Sequence, residues 1–149
     1  MSAQDKGAAL ERSIEQFFIE SGYETQRNVI LEGRSGGRHE IDVLASKADG
    51  VTTIRIFVEC KAWNSPIEKD VVTKAAYVMG DLGFNKAIVV SLAGCRVGAE
   101  QSAEQLGVDL WDTFEIEKRL GKVAVSGLQT AGGGRGARST RRPARRLHR

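Results

Sequence analysis

The sequence predicts an α/β fold in which a mixed sheet is flanked by helices on both sides. Three observations carry that expectation. Apolar residues recur at helical spacing near the N-terminus, three extended segments then follow in a row, and helical faces afterwards alternate with short apolar runs. The expected order is α-β-β-β-α-β-α-β-α, a three-strand meander that leads into α-β crossovers.

Leu10, Ile14, Phe17 and Phe18 mark one face of a helix over about 6–21, which Gly22 ends. Tyr23 to Leu31 reads as a strand, and Gly33-Arg34-Ser35-Gly36-Gly37 as a turn. Glu40 to Ala45 alternates as a second strand, a loop surrounds Asp49-Gly50, and Thr52 to Lys61 forms a third strand. Ser65-Pro66-Ile67-Glu68 has the marks of a helix start: a capping serine, proline at the first helical position and a glutamate that completes a capping box. Ile67, Val71, Ala75, Val78 and Leu82 mark one face of that helix, and Gly83 closes it. Ala87 to Ser91 is a continuous apolar run, as expected of a strand covered on both faces. A helix over about 97–106 ends at Gly107, Val108 to Trp111 forms a short strand, and Asp112 with Glu115 caps a terminal helix.

A chain of 149 residues with 41% hydrophobic content holds one packed domain and at most an appendage. No run approaches the ~18 apolar residues of a membrane span, and Met1 to Gly7 lacks the apolar stretch of a secretory signal. Cys60 and Cys95 form neither a disulfide framework nor a paired metal-binding motif. These features predict a cytoplasmic protein with no membrane association. The net charge of +3 conceals an asymmetry. Ten of the 22 basic residues and none of the 19 acidic ones lie in 118–149, leaving 12 against 19, or −7, in 1–117. The division expected is a folded domain over 1–126 and a disordered Gly/Arg-rich basic tail over 127–149, whose few apolar residues cannot offset the entropy of ordering it.

The segment Ile56-Phe57-Val58-Glu59-Cys60-Lys61-Ala62-Trp63 sets a carboxylate and an ammonium on one strand face, two residues apart. Ile54, Ile56, Val58 and Cys60 line the other face. On the second strand, Glu40, Asp42 and Leu44 share a face, and Asp42 interrupts an otherwise apolar segment. If these strands pair as a hairpin, Asp42 lies beside Glu59. Two neighbouring carboxylates repel unless positive charge lies between them. Lys61 supplies one charge and a divalent cation would supply the rest. Hard oxygen ligands favour Mg²⁺, which is commonly held by one or two carboxylates. Such a metal stabilises charge on a phosphate and lowers the pKa of an attacking water, and a lysine beside it suits phosphodiester hydrolysis. The plain alternative is a surface ion-pair network of Asp42, Glu59 and Lys61.

Asp42 followed seventeen residues later by Glu59-Cys60-Lys61 resembles the D…(D/E)xK signature of the PD-(D/E)XK nuclease superfamily. Within it the chain is most similar to Mrr-type restriction endonuclease catalytic domains. Glu11 in the first helix, eleven residues before Gly22-Tyr23, together with His39-Glu40-Ile41-Asp42-Val43-Leu44-Ala45, Glu59-Cys60-Lys61-Ala62-Trp63 and the stretch from Ala99 to Asp112, carries that resemblance over about residues 6–118. The first helix is also similar to that of archaeal Holliday-junction resolvases. The resemblance implies a restriction-endonuclease-like αβββαβ core. It implies Asp42, Glu59 and the backbone carbonyl of Cys60 as metal ligands, Lys61 as the catalytic lysine and Glu11 as an accessory carboxylate. Ile41 stands where the superfamily's name has proline, and Glu59 where many Mrr-type proteins carry glutamine. Mrr-type enzymes usually add a separate DNA-reading domain, and 149 residues are not expected to hold one beside this core.

The function expected is a DNA endonuclease that uses Mg²⁺, or Mn²⁺ in its place, and acts as a homodimer. The alternatives are a junction-resolving nuclease and a non-cleaving binding protein on a nuclease fold. Arg34 and Arg38 beside the glycine turn, and Arg141, Arg142, Arg145 and Arg146 in the tail, are the candidate phosphate contacts. His39 is expected to be a partly exposed strand residue on the face opposite Asp42. Trp63 is expected to cover the sheet edge, with base stacking as the alternative. Glu15 is expected to face solvent. The glycine turn is no phosphate-binding loop, because neither a helix nor a lysine follows it.

Overall fold

A computed structural model describes residues 2–121. The expectations for the basic tail, including its four candidate arginines, lie outside the described residues. Among the described residues four helices and five strands follow the expected order: α1 Ala3–Glu20, β1 Glu24–Glu32, β2 Arg38–Ala48, β3 Thr53–Lys61, α2 Lys69–Leu82, β4 Lys86–Ser91, α3 Val97–Leu106, β5 Val108–Trp111 and α4 Thr113–Leu120. The five strands lie side by side in chain order. β1, β2 and β3 pair antiparallel, whereas β3–β4 and β4–β5 pair parallel. This is the mixed sheet expected of a meander followed by crossovers. Among the described residues no helix is long and apolar enough to cross a membrane.

Each face of the sheet buries its own apolar layer. Leu10, Ile14 and Phe18 of α1 and Ile116 of α4 pack on Val43, Ala45, Ile56, Val58, Ile88 and Val90. Val72, Ala75 and Val78 of α2 and Ala99 and Ala103 of α3 pack on Phe57, Ala87, Val89 and Val108. β4 contributes to both layers, which is why its sequence is a continuous apolar run. α1 begins three residues earlier than its apolar periodicity implies, because Ser2 and Asp5 form a capping box ahead of it.

Two local expectations are corrected. Ser65 and Pro66 do not start α2: the helix begins at Lys69, and its N-cap, Glu68, makes no side-chain capping bond. The preceding chain stays extended because Ile67 pairs with the segment after β4. Its amide donates to the Gly94 carbonyl at 3.0 Å, and its own carbonyl accepts from Arg96 at 2.9 Å. That pairing buries Ile67 completely, and a helical turn would forfeit it. The second correction concerns alternation along β2. Val43 and Ala45 belong to the layer beneath α1, yet Ile41 belongs to the layer beneath α2. The β1–β2 register is the same on either side of the change, Arg27 with Val43 and Val29 with Ile41, so neither strand carries an inserted residue. The change of face coincides with Asn28, whose φ of 56° lies in the left-handed region. By that register Asn28 stands across from Asp42.

Candidate active site

The three elements that meet where β1 and β2 change face are α1, β2 and β3. The β2–β3 ladder ends at Val43 with Val58, and one further step sets Asp42 across from Glu59. Asp42 also takes the place of a ladder bond: its Oδ2 accepts from the Cys60 amide at 2.8 Å. β3 is held on its other side by β4, through the pairs Glu59–Val89, Cys60–Val90 and Lys61–Ser91. Beyond that ladder, the Leu92 amide donates to the Lys61 carbonyl at 3.2 Å. Glu59 and Lys61 are thus carried by an interior strand, where backbone freedom is smallest.

Glu59 and Lys61 project to one face as expected, and Lys61 Nζ stands 3.1 Å from Glu59 Oε2. Burial pushes the Glu59 carboxyl above its usual range, and the Asp42 charge adds to that shift against the pull of Lys61. Burial likewise raises Asp42, opposed by the Cys60 amide and Lys61. Glu11 is raised by burial and by Asp42, with Asn28 and Arg27 drawing it back. Three carboxyls from three elements therefore feel one another, which is unfavourable without added positive charge. Burial also pushes the Cys60 thiol well up, so this side chain stays protonated while its backbone serves the site.

The structure separates the two helical carboxylates. Glu11 lies 4.0 Å from Arg27 Nη1 and faces the carboxylate group. Glu15 does not face solvent: it accepts from Thr25 Oγ1 at 2.8 Å and Arg27 Nε at 3.0 Å, tying α1 to β1. His39 is on the α2 side, with its Nε2 2.7 Å from Asp81 Oδ2. Asp81 also accepts from the Ser35 amide and hydroxyl, each at 2.8 Å. The glycine turn is docked on the end of α2 in this way. A Cβ at Gly33 would collide with the Asp81 carboxylate, and one at Gly83 with the Arg34 guanidinium. Arg34 and Arg38 both remain exposed. Trp63 is half exposed, with the Lys61 ammonium 4.5 Å from its ring centroid.

Two residues near the carboxylates escaped the sequence reading, Arg27 and Asn28. Asn28 left a trace: asparagine is enriched among non-glycine residues with left-handed backbone, so its place in mid-strand marks an irregularity. Arg27 left none, since a basic residue on a strand is ordinary.

Among the described residues no three His, Cys, Asp or Glu side chains form a ready-made metal cluster. The donors available to a cation are the Asp42 and Glu59 carboxylates, with Glu11 behind them. This oxygen set suits Mg²⁺, which needs few protein ligands, and the raised carboxyls are what such a cation would relieve.

The sequence profile of Mrr catalytic domains, described as restriction endonuclease, matches residues 3–120. The chain belongs to the Mrr-type restriction endonuclease family. No curated protein matches it in sequence. Among solved structures, this Mrr-type domain is similar to AF1548, a protein of unknown function, at 25% identity with a TM-score of 0.64, covering 85% of this chain and 66% of that one. It also matches VC1899 from Vibrio cholerae at 22% identity with a TM-score of 0.56, covering 84% and 33%. A repair endonuclease from Pyrococcus abyssi matches at 19% identity with a TM-score of 0.51, covering 75% and 47%. The last two likenesses concern the fold alone. The chain spans from a third to just under two thirds of the length of these three proteins.

Proposed function

We propose that this Mrr-type domain is a DNA endonuclease that hydrolyses phosphodiester bonds with Mg²⁺ or Mn²⁺. The observation that carries the reading is Asp42 set across from Glu59, with the Lys61 ammonium 3.1 Å from the Glu59 carboxylate. Asp42, Glu59 and the backbone carbonyl of Cys60 would hold the cation, with Glu11 as an accessory carboxylate. A bound divalent cation supplies charge neutralisation at the phosphate and a lowered pKa for the attacking water. Lys61 donates to the phosphate oxygens as negative charge grows on them, or orients the water by hydrogen bonding. Interior-strand placement of Glu59 and Lys61 keeps that geometry stiff, which is what positioned catalysis requires.

DNA reaches a body whose residues 1–117 sum to −7. Arg34, Arg38 and the arginines of the basic tail, among them Arg141, Arg142, Arg145 and Arg146, supply the phosphate contacts. Cutting both strands is simplest with two sites, so the working unit is a homodimer. Cleavage of duplex, methylated duplex, single-stranded and four-way-junction DNA, with Mg²⁺ and with EDTA, tests the reading. Metal-dependent cutting of duplex supports it, preference for the junction redirects it to a resolving nuclease, and binding without cutting of any substrate rejects it.

A further inference from the structure

We propose that Trp63 is a positioning residue for Lys61, its ring holding the ammonium at the site when the carboxylates are engaged elsewhere. The inference rests on the nuclease reading for its kinetic consequence, but not for the contact itself.

Lys61 Nζ stands 3.1 Å from its first partner, Glu59 Oε2, and 4.5 Å from the ring centroid of its second, Trp63. The first partner is shared. Glu59 is one of two carboxylates that a divalent cation would draw upon, and a cation there would also repel a nearby ammonium. The second partner has no such conflict. An indole face attracts a cation through its ring quadrupole, tryptophan more strongly than the other aromatics, and it offers nothing to a hard metal ion. Lysine carries its charge on a flexible four-carbon stem, so a second fixed contact decides where that charge rests.

The chain on both sides of the ring is held. Ala62, before it, packs against the layer beneath α1. Asn64, after it, accepts from Lys6 Nζ at 3.2 Å, and Lys6 is only 8% exposed. The short loop that carries Trp63 is pinned on both sides, although the residue stays 46% exposed.

The test uses the full chain. Trp63→Leu should lower kcat about ten-fold with KM unchanged, and Trp63→Phe should recover most of the loss. In a Lys61→Ala background, Trp63→Leu should lower the rate no further, because the ring acts through the lysine. A loss confined to KM, or a full additional loss in that background, would overturn the proposal and make the ring a DNA contact. A second readout needs no cleavage. The emission of Trp63, taken as the difference between wild type and Trp63→Phe, should shift when Lys61 is replaced by Met. An unchanged difference spectrum overturns the contact. If the wild type cuts no DNA, the nuclease reading fails, while the emission arm still decides this one.

Discussion

The Cys60 amide donates to the Asp42 carboxylate at 2.8 Å, one step past the last ladder pair of β2 and β3. A side chain thereby continues the sheet where backbone pairing stops. The strand that carries Glu59 and Lys61 thus sets the position of Asp42 directly. That bond engages Asp42 Oδ2 within a half-buried carboxyl, the state in which added positive charge gains most.

Asp42→Asn should abolish cleavage without unfolding the chain, because the amide oxygen still accepts from Cys60. Lys61→Ala should cut the rate about 10²- to 10³-fold while leaving Mg²⁺ affinity nearly intact. Steady-state rates and calorimetric metal titration of the purified variants check both. Full activity in either variant would reject the site.

Stability of the metal-free protein should respond to pH through the same carboxyls. Asp42, Glu59 and Glu11 all have folded pKa values above their ordinary ones, 3.8 for Asp and 4.5 for Glu. The folded state then holds these protons more tightly than the unfolded state, and stability falls as pH rises from the ordinary values through the raised ones. Asp42→Asn removes one of the groups and eases the other two. Its Tm should be close to that of wild type in acid and higher once the carboxylates ionise. A difference that stays constant across this range would count against mutual repulsion in the site.

Metal should reverse that loss. Cleavage should need Mg²⁺ or Mn²⁺ and fail with Ca²⁺, which accepts looser geometry. At a concentration of 100 Kd the bound ion should add about 2.7 kcal/mol of stability, read as a rise in Tm that Asp42→Asn lacks. Cleavage that persists in EDTA would sink the metal mechanism.

Asp81 should anchor the turn between β1 and β2. It accepts from Ser35 twice and pairs with His39, and these bonds draw its carboxyl below the usual range. Asp81→Ala should lower Tm and speed hydrogen exchange at the Ser35 amide, while exchange within β3 stays slow. Equal exchange at Ser35 in both proteins would show that the turn holds itself.

Truncation after Gly127 removes seven arginines and leaves every residue of the candidate site in place. DNA binding should weaken several-fold or more and its salt dependence should flatten, since fewer counterions are released. The rate at saturating DNA should change little. Unchanged affinity and salt slope would shift the phosphate contacts to the body, with Arg34 and Arg38 the first residues to replace.

What the sequence alone determined was everything that repeats over short distances. Helical spacing at Leu10, Ile14 and Phe18, the apolar run of β4 and the Asp112 cap each follow from neighbours a few residues apart, and all three recur in the fold. The seventeen-residue interval between Asp42 and Glu59 was legible for the same reason: a hairpin's register follows from the strands and the short loop between them. Only the tertiary structure decided the rest, because the deciding partner lies far along the chain. Ile67 stays extended because Gly94 and Arg96 pair with it, overriding a local capping signal. Glu15 is held closely by Thr25 and Arg27, whereas Glu11 stands 4.0 Å from Arg27 and is raised by Asp42, although both sit on one helix a turn apart. The change of face at Asn28 breaks the strict alternation on which a strand reading depends. The loop beyond β3 that carries Trp63 is tied at Asn64 to a lysine fifty-eight residues away, Lys6. Periodicity is a property of one segment, but a site is made where segments meet.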